Sequence, residues 1–402
     1  MKYQFALVCL LSCSIIGSGS FAMGAKRSPN RSGSVTTPIT DSTYLLTQSV
    51  PIETTLAVPG IPLTQDVWLD MISKVKTSLD LEQYYINNKA GESLEPIVNA
   101  IKAAAGRGVQ VRFLLDKNFF SSNSSEANDL LNIPNLQLKT VDFSQYGGIQ
   151  HAKFFVVDQT SAYVGSANFD WLALTHIHEV GMKTDDPAIS TNLETLFSKD
   201  WANGVVISGS GSGTDIVKVG TQYVPSATVK LVTSPAVANP SAFPDTLDSV
   251  VKLMSSAKTT IQVQVYEFDT AESSNVRARW LVLDTELQKA AARGVKVQLM
   301  VDAVSMKSGK TDLTTLAKVP NIQVRTVLIP EWSGGPLAYA RLIHSKYLVV
   351  DGATAWVGSE NWIENYFTGT RNAGLMIPIS SLSAQLTQIF NQVWTSAYTT
   401  KL

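Results

Sequence analysis

Two hydrophobic periods alternate along the chain. Trp68, Met71, Ile72 and Val75 fall at i, i+3, i+4 and i+7, the stripe of an amphipathic helix, with Thr64 placed to cap it. A strand is predicted next, over residues 79–85. Leu94, Ile97, Val98 and Ile101 mark a second helix that stops at Gly106 and Gly108 and feeds a strand over 109–115. Far downstream, Ile261, Val263 and Val265 alternate with Gln262 and Gln264, the period-2 signature of a half-buried strand. Helix and strand signals taken in turn predict an α/β layered fold with a mixed sheet.

The pattern then repeats. The segment IPNLQLKTV at 133–141 returns as VPNIQVRTV at 319–327, an offset of 186. AGRGVQV at 105–111 returns as AARGVKV at 291–297 with that same offset, and both Arg-Gly pairs read as helix ends. Phe197 and Trp201 return as Phe390 and Trp394, now displaced by 193. The second half thus carries seven extra residues (193 − 186) between Val327 and His344, in a loop holding Trp332 and Tyr339. The expected organisation is two similar α/β/α halves, 44–205 and 241–402, joined by a linker over 206–240 that contains the run SGSGSG.

The chemistry sits in the repeat. HAKFFVVD at 151–158 followed by GSAN at 165–168 recurs as HSKYLVVD at 344–351 followed by GSEN at 358–361. Period 2 places His151 with Lys153, and His344 with Lys346, on one face of a strand. Asp158 and Asp351 complete the six-residue catalytic set, although each also opens a turn that accounts for an aspartate by itself. Ser166, Asn168, Ser359 and Asn361 offer uncharged donors to phosphate oxygens beside glycines that let a ligand approach closely. One imidazole can attack phosphorus while the other protonates the leaving oxygen and then activates water. Each half supplies only one imidazole, so the site is expected where the halves meet. Glu179 is a candidate for bonding the second ring nitrogen of a motif histidine; the position related by 193 is Asn372, which can orient but not ionise.

Charge and composition narrow this further. A net charge of −1 excludes a broadly basic nucleic-acid binder, so attraction to phosphate has to be local. Residues 1–22 read as an export signal: Lys2, an apolar run, then the small-x-small end Ser20-Phe21-Ala22. A lipoprotein reading at Cys13 and an uncleaved signal anchor rank behind it, and residues 23–43 read as a disordered lead-in. Both cysteines, Cys9 and Cys13, lie in the signal, so the mature chain has neither thiol chemistry nor a cysteine metal site. His176 and His178 form a His-x-His beside Glu179, which reads as strand residues near the site rather than a metal centre, because no third histidine accompanies them.

The paired motifs resemble the duplicated signature of the phospholipase D superfamily over most of the chain from Tyr44 to Tyr398. The text around GSANFDW at 165–171, HEVG at 178–181 and NWIENYF at 361–367 is similar to the branch of animal endolysosomal phospholipase-D-like exonucleases and poxvirus envelope phospholipases. The absence of lumenal cysteines departs from the animal members. The resemblance implies a pseudo-two-fold site between the halves, a phosphodiester hydrolase needing neither metal nor cofactor, a phosphohistidine on His151, and His344 as general acid. The expected substrate is a phospholipid head-group ester. A single-stranded nucleic acid end is the alternative, and a non-catalytic binding or coat protein of this fold the second. Peripheral membrane contact and a secreted or periplasmic location follow; no obligatory protein partner is called for.

Overall fold

The structure of the protein, a computed structural model, describes residues 43–211, 222–272 and 275–402. The expected signal segment 1–22, nearly all of the lead-in 23–43 and the middle of the linker lie outside the described residues. Two eight-stranded mixed sheets are built with the same strand order. The first runs Tyr44–Ser49, Glu179–Thr184, Ser161–Gly165, Phe154–Val157, Ser78–Gln83, Gln110–Asp116, Leu136–Val141 and Val205–Val206. The second runs Lys230–Ser234, Asn372–Ile377, Thr354–Gly358, Lys346–Val350, Thr260–Val265, Lys296–Asp302, Ile322–Val327 and Thr399–Lys401. In each, three strands are parallel, joined by helical crossovers, and the motif strand pairs antiparallel with the first of them. Leu79 opposes Val157 in one sheet and Ile261 opposes Val350 in the other, so registers as well as order were duplicated.

Three apolar clusters hold the layers together. The stripe predicted from Trp68, Met71, Ile72, Ile97, Val98 and Ile101 packs on the outer face of the first sheet, and helices Thr246–Ser256 and Val282–Ala292 cover the outer face of the second. The third cluster is shared. Phe154, Val156 and Val164 meet Tyr347, Val349 and Val357, with Phe197 and Trp201 of helix Pro187–Ala202 and Phe390 and Trp394 of helix Ser380–Trp394 among them. Each half thus keeps an outer cluster of its own, and a common one forms between them because each sheet is apolar on both faces. Both halves belong to one compact unit.

Two sequence expectations move. Thr64 is the first residue of helix Thr64–Ser73 and not its cap; Leu63 holds the cap position, and the Thr64 hydroxyl lies 3.1 Å from that of Thr47 on the edge strand. The linker is shorter than 206–240: Lys230–Ser234 is an edge strand paired with Asn372–Ile377, as Tyr44–Ser49 pairs with Glu179–Thr184. Its five residues are too few to show a period against the polar text around them. Both Arg-Gly helix ends form as read, with Gly108 at φ +94° and Gly294 at φ +90°, a conformation glycine adopts without strain.

Candidate active site

Backbone hydrogen bonds cross from one half to the other at the two histidines. The His151 N–H donates to the Arg371 carbonyl (2.8 Å), and the Arg371 N–H to that of Ile149 (2.9 Å). The counterpart is 193 residues away: the His344 N–H donates to the His178 carbonyl (2.9 Å), and the His178 N–H to that of Leu342 (2.8 Å). Asp116 and Asp302, at the ends of equivalent parallel strands, accept from the Gln150 and Ile343 N–H groups and fix the approach to each motif. The interface therefore positions both imidazoles through backbone, before any side chain is considered.

Their ring partners also come from the opposite half. His151 Nδ1 lies 3.0 Å from Asn372 Oδ1, and His344 Nδ1 lies 2.7 Å from Glu179 Oε1. The Asn372 amide orientation follows from its nitrogen, which donates to the carbonyls of Tyr366 and Thr370. Its oxygen therefore faces the ring, which places a proton on His151 Nδ1 and leaves Nε2 with a free lone pair. Glu179 Oε1 does the same for His344, while its Oε2 accepts from Ser166 Oγ at 2.5 Å. Ser359 Oγ donates in the corresponding way to Asn372 Oδ1 (2.9 Å).

Burial dominates the electrostatics. It drives the His151 imidazole well below the usual histidine range, helped by the charges of Lys153 and Lys346. It carries His344 down to about 4, against the pull of Glu179 in the other direction. Burial also lowers Lys153 strongly and brings Lys346 to about 7, with Glu179 and Glu267 opposing the latter. For Glu179, burial would raise the carboxyl, but His344, Lys346 and the Ser166 hydroxyl outweigh it and hold the group ionised. Each lysine donates to the carbonyl of its own motif histidine, Lys153 at 2.7 Å and Lys346 at 2.5 Å, which fixes the ammonium beside the ring. A neutral His151 and a His344 that can take up a second proton against Glu179, between two lysines, can carry out attack and proton transfer at one phosphorus.

The structure separates the predicted site residues into two groups. His151, Lys153, His344, Lys346, Glu179 and Asn372 come together, with Asn168 and Asn361 at the edge. Asp158 and Asp351 do not. Each follows the far end of its motif strand, about 17 Å from the lysine at a rise near 3.3 Å per residue. Asp158 accepts from the N–H groups of Lys76, Thr77 and Ser78 and from the Thr77 hydroxyl; Asp351 binds Lys258, Thr259 and Thr260 in the same way. These aspartates tie the motif hairpin to the start of the neighbouring strand, which corrects their catalytic assignment. Asp158→Ala is expected to lower unfolding stability by about 1–3 kcal/mol while kcat stays within about twofold, as urea titration and a soluble diester assay will read. Ser166 and Ser359 are corrected too: wholly buried, they spend their hydroxyls on Glu179 and Asn372 and orient the orienting groups instead of meeting phosphate.

Several neighbours were not singled out from sequence. Tyr84 and Tyr266, equivalent at an offset of 182, set their rings 5.2 Å from His151 and 5.0 Å from His344, and Tyr366 packs edge-on to His151 at 5.0 Å. Asn168 Nδ2 donates to the Tyr85 hydroxyl (3.2 Å), and Asn361 Nδ2 to Glu267 Oε2 (3.0 Å). The available signal was an aromatic at the end of the same strand in both halves. His176 and His178 face different ways: His176 lies between Trp171 and Trp332, whereas His178 Nδ1 meets Ser345 and Gln264. The seven-residue excess is a strap onto the first half. Ser333 donates twice to Glu53, Arg341 reaches the Ile52 carbonyl, and Trp332 is packed on His176 rather than free to stack a ligand.

A family profile described as "Cardiolipin synthase, PLD-like domain" matches residues 68–201 and 250–394, one match for each half. The chain belongs to the PLD-like family. Among curated relatives, this PLD-like chain is 28% identical over 362 residues to Phospholipase D Z of Dictyostelium discoideum, covering 83% of this chain and 85% of that protein. It is 29% identical over 395 residues to the human 5'-3' exonuclease PLD3, covering 88% and 79%. The Virion nicking-joining enzyme of vaccinia virus is 27% identical over 366 residues, covering 84% and 85%. Among solved structures, phosphatidylserine synthase of Haemophilus influenzae shares the fold with a TM-score of 0.59 at 13% identity, covering 84% of this chain and 85% of that one. The PLD-like chain is an enzyme of the phosphodiesterase class, and the resemblance read from its motifs, including the animal and poxvirus branch, agrees with these relatives.

Proposed function

We propose that this PLD-like protein hydrolyses phospholipid head-group esters in two steps, through a phosphohistidine on His151 and without a metal ion. The observation that carries the reading is the unlike pair of Nδ1 partners, an amide oxygen for His151 and a carboxylate for His344. A neutral partner leaves His151 a poor proton holder with its Nε2 lone pair free. Glu179 stabilises the imidazolium of His344, which suits the general acid. In the first step His151 Nε2 forms a bond to phosphorus, the P–O bond to the head-group alcohol breaks, and His344 Nε2 gives that oxygen its proton. In the second, the now neutral His344 takes a proton from water, the hydroxide attacks, and the P–N bond breaks to restore His151. Lys153, Lys346 and the second amide hydrogens of Asn168 and Asn361 are the proposed donors to the non-bridging oxygens, where charge grows in the transition state.

The enclosure of the site supports a compact ester. His151 is 4% exposed and His344 8%, so a substrate has to present its diester at an end. Carboxyl groups oppose the two lysines, Glu179 and Glu360 at Lys153 and these with Glu267 and Asp302 at Lys346, which gives a long polyanion little to gain. Cleavage at a single-stranded nucleic acid 5′ end is the second reading. It is favoured by the half-buried pair Tyr85 and Phe119, stacked at 4.5 Å beside Asn168, and by likeness to the exonuclease PLD3. The leader-like residues 1–22 support action outside the cytoplasm, in a secreted or periplasmic setting.

The test is purified full-length protein with EDTA, given head-group-labelled phosphatidylcholine in mixed micelles and, in parallel, 5′-hydroxyl single-stranded DNA. Release of choline with phosphatidic acid is expected. Loss of all turnover in EDTA overturns the metal-free mechanism, and turnover of DNA alone moves the assignment to the second reading.

A further inference from the structure

Besides the Glu179 and Asn372 pair, the duplicated halves differ at a position beside the motif asparagines. Tyr85 and Glu267 are equivalent, each following the tyrosine that packs on a motif histidine and each accepting from the amide of a motif asparagine. The neighbouring pairings fix that equivalence: Ile86 opposes Phe169 where Phe268 opposes Trp362. The first half therefore offers a phenol beside Asn168, and the second half a carboxylate beside Asn361. Glu267 is partly open to solvent, Asn361 occupies only one of its two oxygens, and its charge acts on Lys346, Tyr266 and Tyr366. Asp302 and Asp269 lie close by, so acidic groups gather on the His344 side.

This side receives the leaving alcohol, because His344 is the group that protonates it. The inference rests on that assignment of the two histidines and on the lipid reading. We propose that Glu267, held beside Asn361 at the His344 side of the site, forms a subsite for a cationic head-group alcohol, a quaternary or primary ammonium. The free carboxylate oxygen offers ion pairing, and because the Tyr266 ring is already met by Lys346 Nζ at 5.4 Å the carboxylate carries the recognition. The same charge opposes a leaving group that carries phosphates, such as the remainder of a nucleic acid strand. Glu267 is thus a specificity-determining residue for charge on the alcohol. Its counterpart Tyr85, on the His151 side, imposes no charge on the part of the substrate retained in the phosphoenzyme.

The experiment compares kcat/KM for short-chain phosphatidylcholine, phosphatidylethanolamine and phosphatidylglycerol below their micellar concentrations, with full-length wild-type protein, Glu267→Gln and Glu267→Asp. Wild type is expected to favour choline and ethanolamine over glycerol by about tenfold, in line with a partly desolvated cation site. Glu267→Gln brings that ratio close to one, chiefly through KM for the cationic esters, and Glu267→Asp restores part of it. A uniform fall on all three esters, or a ratio untouched by Glu267→Gln, overturns the proposal. Soluble diesters with an ethyl or a choline leaving group separate the two readings. If no lipid is cleaved but choline is still favoured on these and the preference vanishes in Glu267→Gln, the subsite stands and the lipid assignment falls. Equal rates on both esters sink the subsite.

Discussion

His344→Ala protein given bis(p-nitrophenyl) phosphate releases one equivalent of p-nitrophenolate per chain in a burst and then stalls. The nitrophenolate leaves without needing a proton, so attack by His151 Nε2 survives removal of the general acid. Hydrolysis of the phosphohistidine does not survive equally, because nothing is left to take the proton from water. With an alkyl leaving group the same variant loses both steps, a fall of about 10²–10⁴ in kcat. His151→Ala shows no burst with either substrate and falls further, by about 10⁴–10⁶, as expected when a covalent nucleophile is removed. Rapid quench and mass spectrometry of the stalled protein should place the phosphoryl group on the peptide holding His151. A burst in His151→Ala together with none in His344→Ala exchanges the two roles. Geometry makes these large effects: both rings are buried, held from across the interface and flanked by lysines.

Glu179→Gln is the second large effect, about 10³-fold in kcat/KM for alkyl esters, comparable to the loss seen when a carboxylate behind a catalytic histidine becomes an amide. The direction of its pH dependence follows from the charges. Glu179 raises the affinity of His344 for a proton against burial, and the value of about 4 already includes that help. Removing the negative charge lowers that value further, so at any given pH less His344 is protonated and the acid-dependent limb moves to lower pH. Asn372→Asp acts on the other ring with the opposite result. A carboxylate behind His151 raises its proton affinity, and the limb that requires neutral His151 moves to higher pH. Opposite displacements of the two profiles are therefore expected, and identical profiles would refute the separate roles. Ser166→Ala, which frees Glu179 Oε2 from its 2.5 Å hydrogen bond, leaves more of the carboxylate charge for His344 and should shift the profile opposite to Glu179→Gln and by less.

Much of this arrangement was legible in the chain. Helical and strand periods located most of the elements around Trp68, Ile97 and Val263, because burial of one face imposes a period that needs no tertiary knowledge. The offsets of 186 and 193 exposed the duplication, and the identical sheet orders and registers follow from it. The Glu179 and Asn372 difference could be noticed, since both sit at one repeat position. What stayed hidden was which histidine each of them serves. Asp158 and Asp351 carried the opposite lesson: identical in both copies and next to the motifs, they bind backbone at the wrong end of the strand. Proximity along a strand is distance in space, at about 3.3 Å per residue.

The sequence by itself determined the residue types, their pairing in two copies and the class of chemistry, because two imidazoles and two ammonium groups in small polar settings serve few reactions. Tertiary structure decided which groups act on which. Glu179 reaches His344 and Asn372 reaches His151 only because each half lends its partner to the other across backbone bonds at Arg371 and His178. The buried serines turn away from substrate for the same reason: a hydroxyl sealed from water has to find a partner, and the nearest are the orienting groups themselves. Burial, a property of the packed halves and not of any segment, then sets the protonation of the histidines and lysines on which turnover depends.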